Sequence, residues 1–339
     1  MFINKKRFKN MKKTSIFLGL VTMGLFASAQ MPVRMALYEE FTGENCPPCA
    51  ATNPALDALL AANATKVIAL KWQVPIPSAP SNTWSLYRTN QAEINWRYQG
   101  SGYGYQSQNT STTAPTNGIN SAPSGKMNGD NAWVYGAASN HPANLTTAAI
   151  NAAQTATTPF SINLATSYDS GFNNCVVTVT IQSAASFTTA GQMKFRLCLV
   201  ERRIEFATAP GTNGEKLFHD VVRKSYPTTT SGTVVTGMGT NISNNWTVGQ
   251  TETYTINCAI PSYIVDKSEM AFVGFVQNDN DKRIWQAARS NKASIPNDIK
   301  VTTVSVPGFQ CASSITPTVT LLNQGPNAIT AMTIVPSID

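Results

Sequence analysis

The spacing of apolar and polar positions divides this chain into a mixed first half, a strand-rich second half and a short third stretch. Residues 33–41 (VRMALYEEF) are mostly apolar over the length of one strand and predict a buried strand. Ala50, Leu56, Leu59 and Leu60 follow at helical spacing, and residues 67–74 (VIALKWQV) form a second apolar strand. A strand, a helix and a strand in that order predict a right-handed parallel crossover, the core of an α/β domain. Trp84, Tyr87, Ile94 and Tyr98 then recur at helical spacing within residues 82–98. They predict an amphipathic helix whose aromatic stripe reads as packing on the sheet. Residues 100–113 (GSGYGYQSQNTSTT) have no periodicity and read as a loop. Residues 142–156 give a last helix with Leu145, Ala149, Ile150 and Ala153 on one face, and the first domain ends near Thr158.

From Pro159 the period changes. Residues 160–167, 175–181, 194–200, 251–258 and 270–277 are short β-rich runs separated by Gly, Asn, Ser and Thr, the pattern of an antiparallel β-sandwich. Cys175, Val177, Val179 and Ile181 share one strand face, as do Tyr254, Ile256 and Cys258, so both cysteines point inward. Cys198 falls on the face opposite to Phe195. Residues 298–306 and 316–323 read as two further strands and 328–335 as a candidate third, too few to close a sandwich core. The pattern therefore predicts a chain that stops inside a domain.

Charge changes the picture at the amino terminus. Six basic residues, Lys5, Lys6, Arg7, Lys9, Lys12 and Lys13, precede an apolar run from Ser15 to Phe26 and then Ala27-Ser28-Ala29, the layout of a secretory signal peptide. Removing it at Gln30 leaves 310 residues, about two domains by length, with 19 basic against 18 acidic residues. The apparent basicity of the whole chain belongs to the leader, so nucleic acid and anionic membrane are discarded as partners. No other stretch approaches the length of a membrane helix, and residue 30 is not a cysteine, which argues against a lipid anchor there. The expected location is the periplasm, the outer-membrane surface or the extracellular space. Export also makes disulfides permissible for the six cysteines.

Candidate chemistry concentrates at Cys46-Pro47-Pro48-Cys49, between the first strand and the first helix. Two cysteines separated by two residues at a strand-to-helix junction are the spacing of a thioredoxin-type redox dithiol. If Cys46 caps the helix, its sulfur faces unpaired amides and the positive dipole end, which favour a thiolate; Cys49 then lies one turn inside. Pro47 and Pro48 fit the first turn, whereas Pro54 is expected to kink the helix. Pro115, in the segment APTNGIN at 114–120, takes the place of the cis-proline that lies across the dithiol in thioredoxin-like folds.

These residues carry a resemblance. EEFTGENCPPC at 39–49, APTNGIN at 114–120, FHDVVRK at 218–224 and AFVGFVQNDNDKRIWQAA at 271–288 resemble an exported bacterial outer-membrane-protein family of about twenty-eight kilodaltons, a domain-sized mass. Its members join a thioredoxin-like domain to a β-sandwich, and the match covers roughly residues 33–291. The resemblance implies an α+β multidomain class: a signal peptide at 1–29, a thioredoxin-like α/β domain at 30–158, an immunoglobulin-like β-sandwich at 159–292 and the start of a further immunoglobulin-like β domain at 293–339. It also implies roles by position. Glu40 stands six residues before Cys46, where thioredoxin has a buried aspartate, and a carboxyl raised by burial there exchanges the proton of Cys49, with Lys71 as its possible partner. A plain surface Glu and Lys at a strand end is the competing reading of that pair. Asn45 replaces the usual tryptophan and Pro-Pro replaces Gly-Pro, so the redox potential departs from the family's.

The expected function is thiol-disulfide exchange on cell-envelope or extracellular proteins through Cys46 and Cys49, with Glu40 and Pro115 as further site residues and no cofactor or metal. The alternative is a non-catalytic surface or adhesion protein with a structural Cys46–Cys49 disulfide. With only His141 and His219, singly scattered further cysteines, no glycine-rich phosphate loop and no nucleophile elbow, zinc, hydrolase and nucleotide chemistry have no support. Cys175 and Cys258 are expected to pair in a disulfide, with Cys198 as a competitor and Cys311 left for a residue beyond Asp339.

Overall fold

The protein is known from a computed structural model, which describes residues 31–99, 119, 121–231, 234–296, 299–306, 316–323, 325 and 327–335. The expected leader, the 100–113 loop, Pro115 and Cys311 lie outside the described residues.

The first half places β1 (Ala36–Thr42), α1 (Pro47–Ala62), β2 (Val67–Gln73), α2 (Leu86–Thr89), α3 (Gln91–Gln99), β3 (Ser124–Met127), β4 (Asp130–Asn131) and α4 (Thr147–Thr155) in that order. β1 and β2 are parallel neighbours from Ala36↔Val67 to Thr42↔Gln73, and β3 lies antiparallel on the other side of β1. The strand, helix and strand are therefore where the periodicity put them. The helix continues through Pro54 to Ala62, where Asn63 caps it. The single helix expected over 82–98 is two, interrupted at Asn90. Tyr87, Ile94 and Tyr98 are buried as read, whereas Trp84 is half exposed against Phe206.

The second half adds β5 (Phe160–Tyr168), β6 (Asn174–Ser183), β7 (Phe187–Thr188), β8 (Met193–Glu205), β9 (Leu217–Tyr226), β10 (Thr228–Ser231), β11 (Val234–Met238), β12 (Thr240–Asn241), β13 (Asn245–Trp246), β14 (Thr251–Ala259), β15 (Met270–Asn278) and β16 (Ile284–Arg289). Here the expected fold class is overturned. The strands do not divide into a thioredoxin-like α/β domain and a separate immunoglobulin-like sandwich. One mixed nine-stranded sheet runs β16-β15-β8-β9-β2-β1-β3-β4, with β12 on β8, and so takes strands from both halves. β2 and β9 meet in parallel at Lys71↔Val221. β5, β6 and β14 form a smaller antiparallel sheet.

Burial explains why the halves merge. Every residue of β1 and of β2 is buried, so both strands need cover on two faces and along both edges. Leu37, Phe41, Ile68, Leu70 and Trp72 share a core with Ile94, Tyr98 and, from the second half, Cys198, Val200 and Val273. On the other face Ala36, Tyr38, Val67 and Ala69 pack on Leu56 and Leu60 of α1 and Ala149, Ile150 and Ala153 of α4. β8 feeds two cores by alternation: Cys198 and Val200 join the first, while Phe195, Leu197 and Leu199 join Val177, Val179 and Ile181 of β6. The face assigned to Cys198 from the sequence is correct.

The two strands expected over 298–306 and 316–323 are present as β17 (Ile299–Ser305) and β18 (Thr318–Asn323), an antiparallel pair that is largely exposed, whereas the candidate third at 328–335 forms no strand. The expected cysteine pairing is corrected. Cys175 and Cys258 do stand directly opposite each other on β6 and β14 and are buried, but they are free thiols, as is Cys198. Side chains opposite each other in an antiparallel pair stand side by side, and here each sulfur turns to a main-chain carbonyl, Val176 O for Cys175 and Ile256 O for Cys258, at 3.7 Å.

Candidate active site

β1 delivers the chain to a tight loop. At Gly43 a Cβ would lie 2.7 Å from the Val74 carbonyl oxygen and 2.9 Å from that of Ile76, so only glycine lets the loop turn beneath β2. Cys46 follows as the N-cap of α1, with Pro47 at the first helical position. The Cys49 amide donates to the Cys46 carbonyl at 3.1 Å and to Cys46 Sγ at 3.2 Å, which satisfies one of the free amides of the helix start. The two sulfurs are joined, S–S 2.04 Å, and both residues are buried, Cys46 1 % and Cys49 0 % exposed.

Glu39 and Glu40 are adjacent on β1 and point to opposite faces. Glu39 enters the aromatic core, where Arg97 of α3 holds it by two hydrogen bonds of 2.9 and 2.7 Å and the Trp72 indole donates at 3.0 Å. Arg97 also donates to Gln277 of β15, as does Arg196 of β8, which pairs with Asp279. This buried ionic network ties α3 to the second half, and breaking such a pair typically costs about 3–5 kcal/mol. It bears on stability and not on the dithiol.

Glu40 enters the side covered by α1. Its Oε2 lies 3.0 Å from Lys71 Nζ on β2, and Lys71 Nζ lies 2.5 Å from Asp57 Oδ1 on α1. The expected partner is thus the actual one, and neither is a surface residue: Glu40 is 0 % and Lys71 2 % exposed. Burial raises the Glu40 carboxyl, against the pull of Lys71, and its Oε1 has no hydrogen-bond partner among the described residues. Burial pulls the Lys71 ammonium down, but Glu40 and Asp57 together outweigh it and hold Lys71 above its ordinary value. With one ammonium between two carboxylates, the deeper carboxyl, Glu40, is the one that takes up a proton as pH falls.

Asn53, one turn beyond Cys49 on α1, extends this cluster. Its Nδ2 donates to Thr42 Oγ1 at 3.3 Å and to Glu215 Oε1 at 2.7 Å. Burial pushes the Glu215 carboxyl up to about 7, and Asn53, Lys71 and Asn213 oppose that rise. Glu215 also lines a cleft of 670 Å³ beside α1, together with Asn53, Asp57, Arg202, His219 and Asp220. Asp57 was legible in principle, because positions 49, 53 and 57 follow one helical stripe. Glu215 was not, because it comes from a segment more than 160 residues away in sequence.

On the outer side, Asn45 Nδ2 donates to Ser78 Oγ at 3.2 Å, and its Oδ1 accepts from the Thr212 amide at 3.0 Å. Buried Glu44 accepts from the Leu86 and Tyr87 amides at 2.9 Å each and so fixes the start of α2. Pro115 lies outside the described residues; among the described residues the cis peptide bonds are Ile76–Pro77, Ala122–Pro123 and Tyr226–Pro227. Ala122–Pro123 immediately precedes β3, whose Ser124 pairs with Phe41 near the end of β1. Of the four site residues expected from the sequence, Cys46 and Cys49 are joined at the end of α1 and Glu40 lies on the strand face beneath that helix.

No helix among the described residues is long and apolar enough to cross a membrane. No family model and no curated protein matches the chain. Among solved structures, HBP35 of Porphyromonas gingivalis is similar in fold at a TM-score of 0.52 and 13 % identity, over 87 % of this chain and 92 % of that one. A protein of Agrobacterium tumefaciens reaches 0.41 at 12 % identity, over 77 % and 96 % of the two chains. A domain of the outer membrane lipoprotein Omp28 of Porphyromonas gingivalis reaches 0.24 at 13 % identity, over 40 % and 88 %. The last two scores are too low to carry an argument, and the first speaks for the fold alone.

Proposed function

We propose that this chain is an exported thiol-disulfide exchange protein acting on cell-envelope or extracellular proteins through Cys46 and Cys49. The observation that carries the reading is a disulfide at the N-cap of α1 with a raised, buried carboxyl on the strand face under the same helix. The basic start, apolar run and small-residue site of residues 1–29 support export.

In the oxidised form a substrate thiolate attacks Cys46 Sγ, the Cys46–Cys49 bond breaks, and Cys49 leaves as a thiolate that takes a proton from Glu40. A second substrate thiolate then attacks the substrate sulfur of the mixed disulfide and releases Cys46 as a thiolate. The substrate dithiol has become a disulfide, and the pair has gained two electrons. The reverse, from a reduced pair and a substrate disulfide, uses ionised Glu40 as the base that frees Cys49 to resolve. Cys46 is the sulfur that exchanges, because the amides and dipole of α1 stabilise its thiolate, whereas Cys49 lies a turn inside.

A second reading, a surface protein with a permanent bond, draws on the burial of both sulfurs. The reduction potential of the pair in the mature protein decides between them. A value between about −270 and −180 mV, the span of thioredoxins and disulfide isomerases, supports exchange; one below about −300 mV supports the permanent bond.

A further inference from the structure

Residues 210–215, in the connection from β8 to β9, lie across the outer side of the dithiol loop. The Thr212 amide donates to Asn45 Oδ1 at 3.0 Å and the Asn213 amide to the Glu44 carbonyl at 3.1 Å. Asn213 Nδ2 donates to the Gly43 carbonyl at 3.0 Å and to the Cys46 carbonyl at 3.3 Å. At Gly211 a Cβ would sit 2.1 Å from the Glu44 carbonyl oxygen, so main chain rests on main chain there and no larger residue fits. The flank is held as well, by Asn82 Nδ2 donating to the Pro210 carbonyl at 3.0 Å. Thr212 and Gly214 are nevertheless exposed, and Gly214 has φ +83° with nothing within 4 Å of its missing Cβ. The segment is thus fastened by hydrogen bonds to the dithiol loop, to Asn82 at one end and to Asn53 at the other, and is open to water at Thr212 and Gly214 between them, so its middle is the part that can release locally.

Its contacts are those of a bound peptide. Two consecutive backbone amides of one bent stretch meet acceptors of residues 44 and 45, next to the cysteine that would exchange, and a residue without a side chain sits where contact is tightest. We infer that residues 210–215 are an internal pseudosubstrate strap: they occupy the site for a polypeptide turn, which must displace them before its cysteine reaches Cys46. The inference rests on the exchange function proposed above and deepens it. The occupant it specifies is a bent peptide segment with a glycine facing Glu44 and with amides free to replace those of Thr212 and Asn213. Cys46, only 1 % exposed, is closed to a protein partner while the strap is down.

The test reads access to Cys46 and needs no partner. In the Cys49→Ser full-length chain, the rate of Cys46 alkylation by iodoacetamide is compared with and without Asn213→Ala, and separately with Gly211→Ala, whose methyl cannot fit against Glu44. Loss of the two Asn213 side-chain hydrogen bonds is expected to raise the rate roughly tenfold, and Gly211→Ala is expected to raise it at least as much, with buried Cys198 remaining unreactive in both. An unchanged rate in both variants overturns the strap, and so does a rise in which Cys198 reacts in step, because that marks unfolding of the whole chain. Faster alkylation together with a reduction potential below the exchange range would keep the strap as a cover and remove the exchange function, so the two failures are distinguishable.

Discussion

Two groups of cysteines among the described residues are equally buried and differ in bonding: one pair is joined and three thiols are free. Cys46 and Cys49 are 1 % and 0 % exposed; Cys175, Cys198 and Cys258 are 1 %, 2 % and 1 %. The first pair is bonded, sits among the amides of a helix start and has Glu40, Lys71 and Asp57 on the strand face and helix behind it. The other three are free thiols: Cys175 and Cys258 lie in an apolar core and Cys198 beside Ser225 and Arg97, and burial pushes Cys175 up to about 11 and Cys198 and Cys258 up to about 12. Exposure therefore does not separate the two groups. On the proposed exchange function the helix start does, because its amides favour a thiolate at Cys46, whereas Val177, Val179 and Phe195 offer Cys175 and Cys258 no such donors.

The sharpest way to break this contrast is to look for trapped partners. Cys49→Ser is expected to accumulate mixed disulfides on Cys46 when mixed with envelope proteins, and Cys46→Ser to accumulate none. Replacing Cys175, Cys198 and Cys258 together is expected to leave the captured bands unchanged, and non-reducing gels with peptide mapping read all three outcomes. Capture through any of the three free cysteines would dissolve the contrast.

A smaller effect concerns the carboxyl behind the pair. Glu40→Gln removes the proton acceptor and is expected to slow resolution of a mixed disulfide at neutral pH by about a hundredfold. In the parent protein the resolving rate should rise with pH as the raised Glu40 carboxyl ionises, and the variant should lose that limb while keeping the limb of the thiol itself. A stopped-flow pH profile that is the same in both would remove Glu40 from the mechanism.

Glu215 makes the polar surroundings visible in stability. Its carboxyl titrates near 7 in the folded chain against 4.5 for an unburied group, so the folded state binds this proton more tightly. Its contribution is fully present below about pH 4.5 and is lost as pH rises toward 7. Urea unfolding across that window should show a downward slope that Glu215→Gln reduces. The smallest change is expected at the inert end: Cys258→Ala should cost about 1–2 kcal/mol in urea unfolding, as a small buried apolar truncation, with the exchange rate unaltered.

Much of the candidate site is legible in the sequence. The dithiol follows from its spacing at a strand-to-helix junction, Glu40 from its place on the strand that feeds it, and Lys71 from the next strand in the crossover. Asp57 could have been added from the stripe of Cys49 and Asn53 on α1. Asn213 and Glu215 could not, because loops that close over a site carry no periodicity and their partners lie more than 160 residues away. The cysteine pairing shows the same limit from the other side: alternation correctly turned Cys175 and Cys258 inward, and the structure sets them opposite each other, yet whether two inward sulfurs join depends on where each finds a partner.

The sequence by itself determined the local elements: β1, α1 and β2 in crossover order, the face of Cys198 on β8, the apolar face of α4 and the short strands after Phe160. These depend on contacts within a few residues or on a period of 2 or 3.6, both written directly in the chain. Only the tertiary structure decided that β2 pairs with β9, that one sheet therefore takes strands from both halves, and that residues 210–215 lie on the dithiol loop. A buried strand such as VIALKWQ shows that both of its faces and edges are covered but not by what, since any apolar face or free backbone edge satisfies the same pattern, and the choice is made by packing the whole chain.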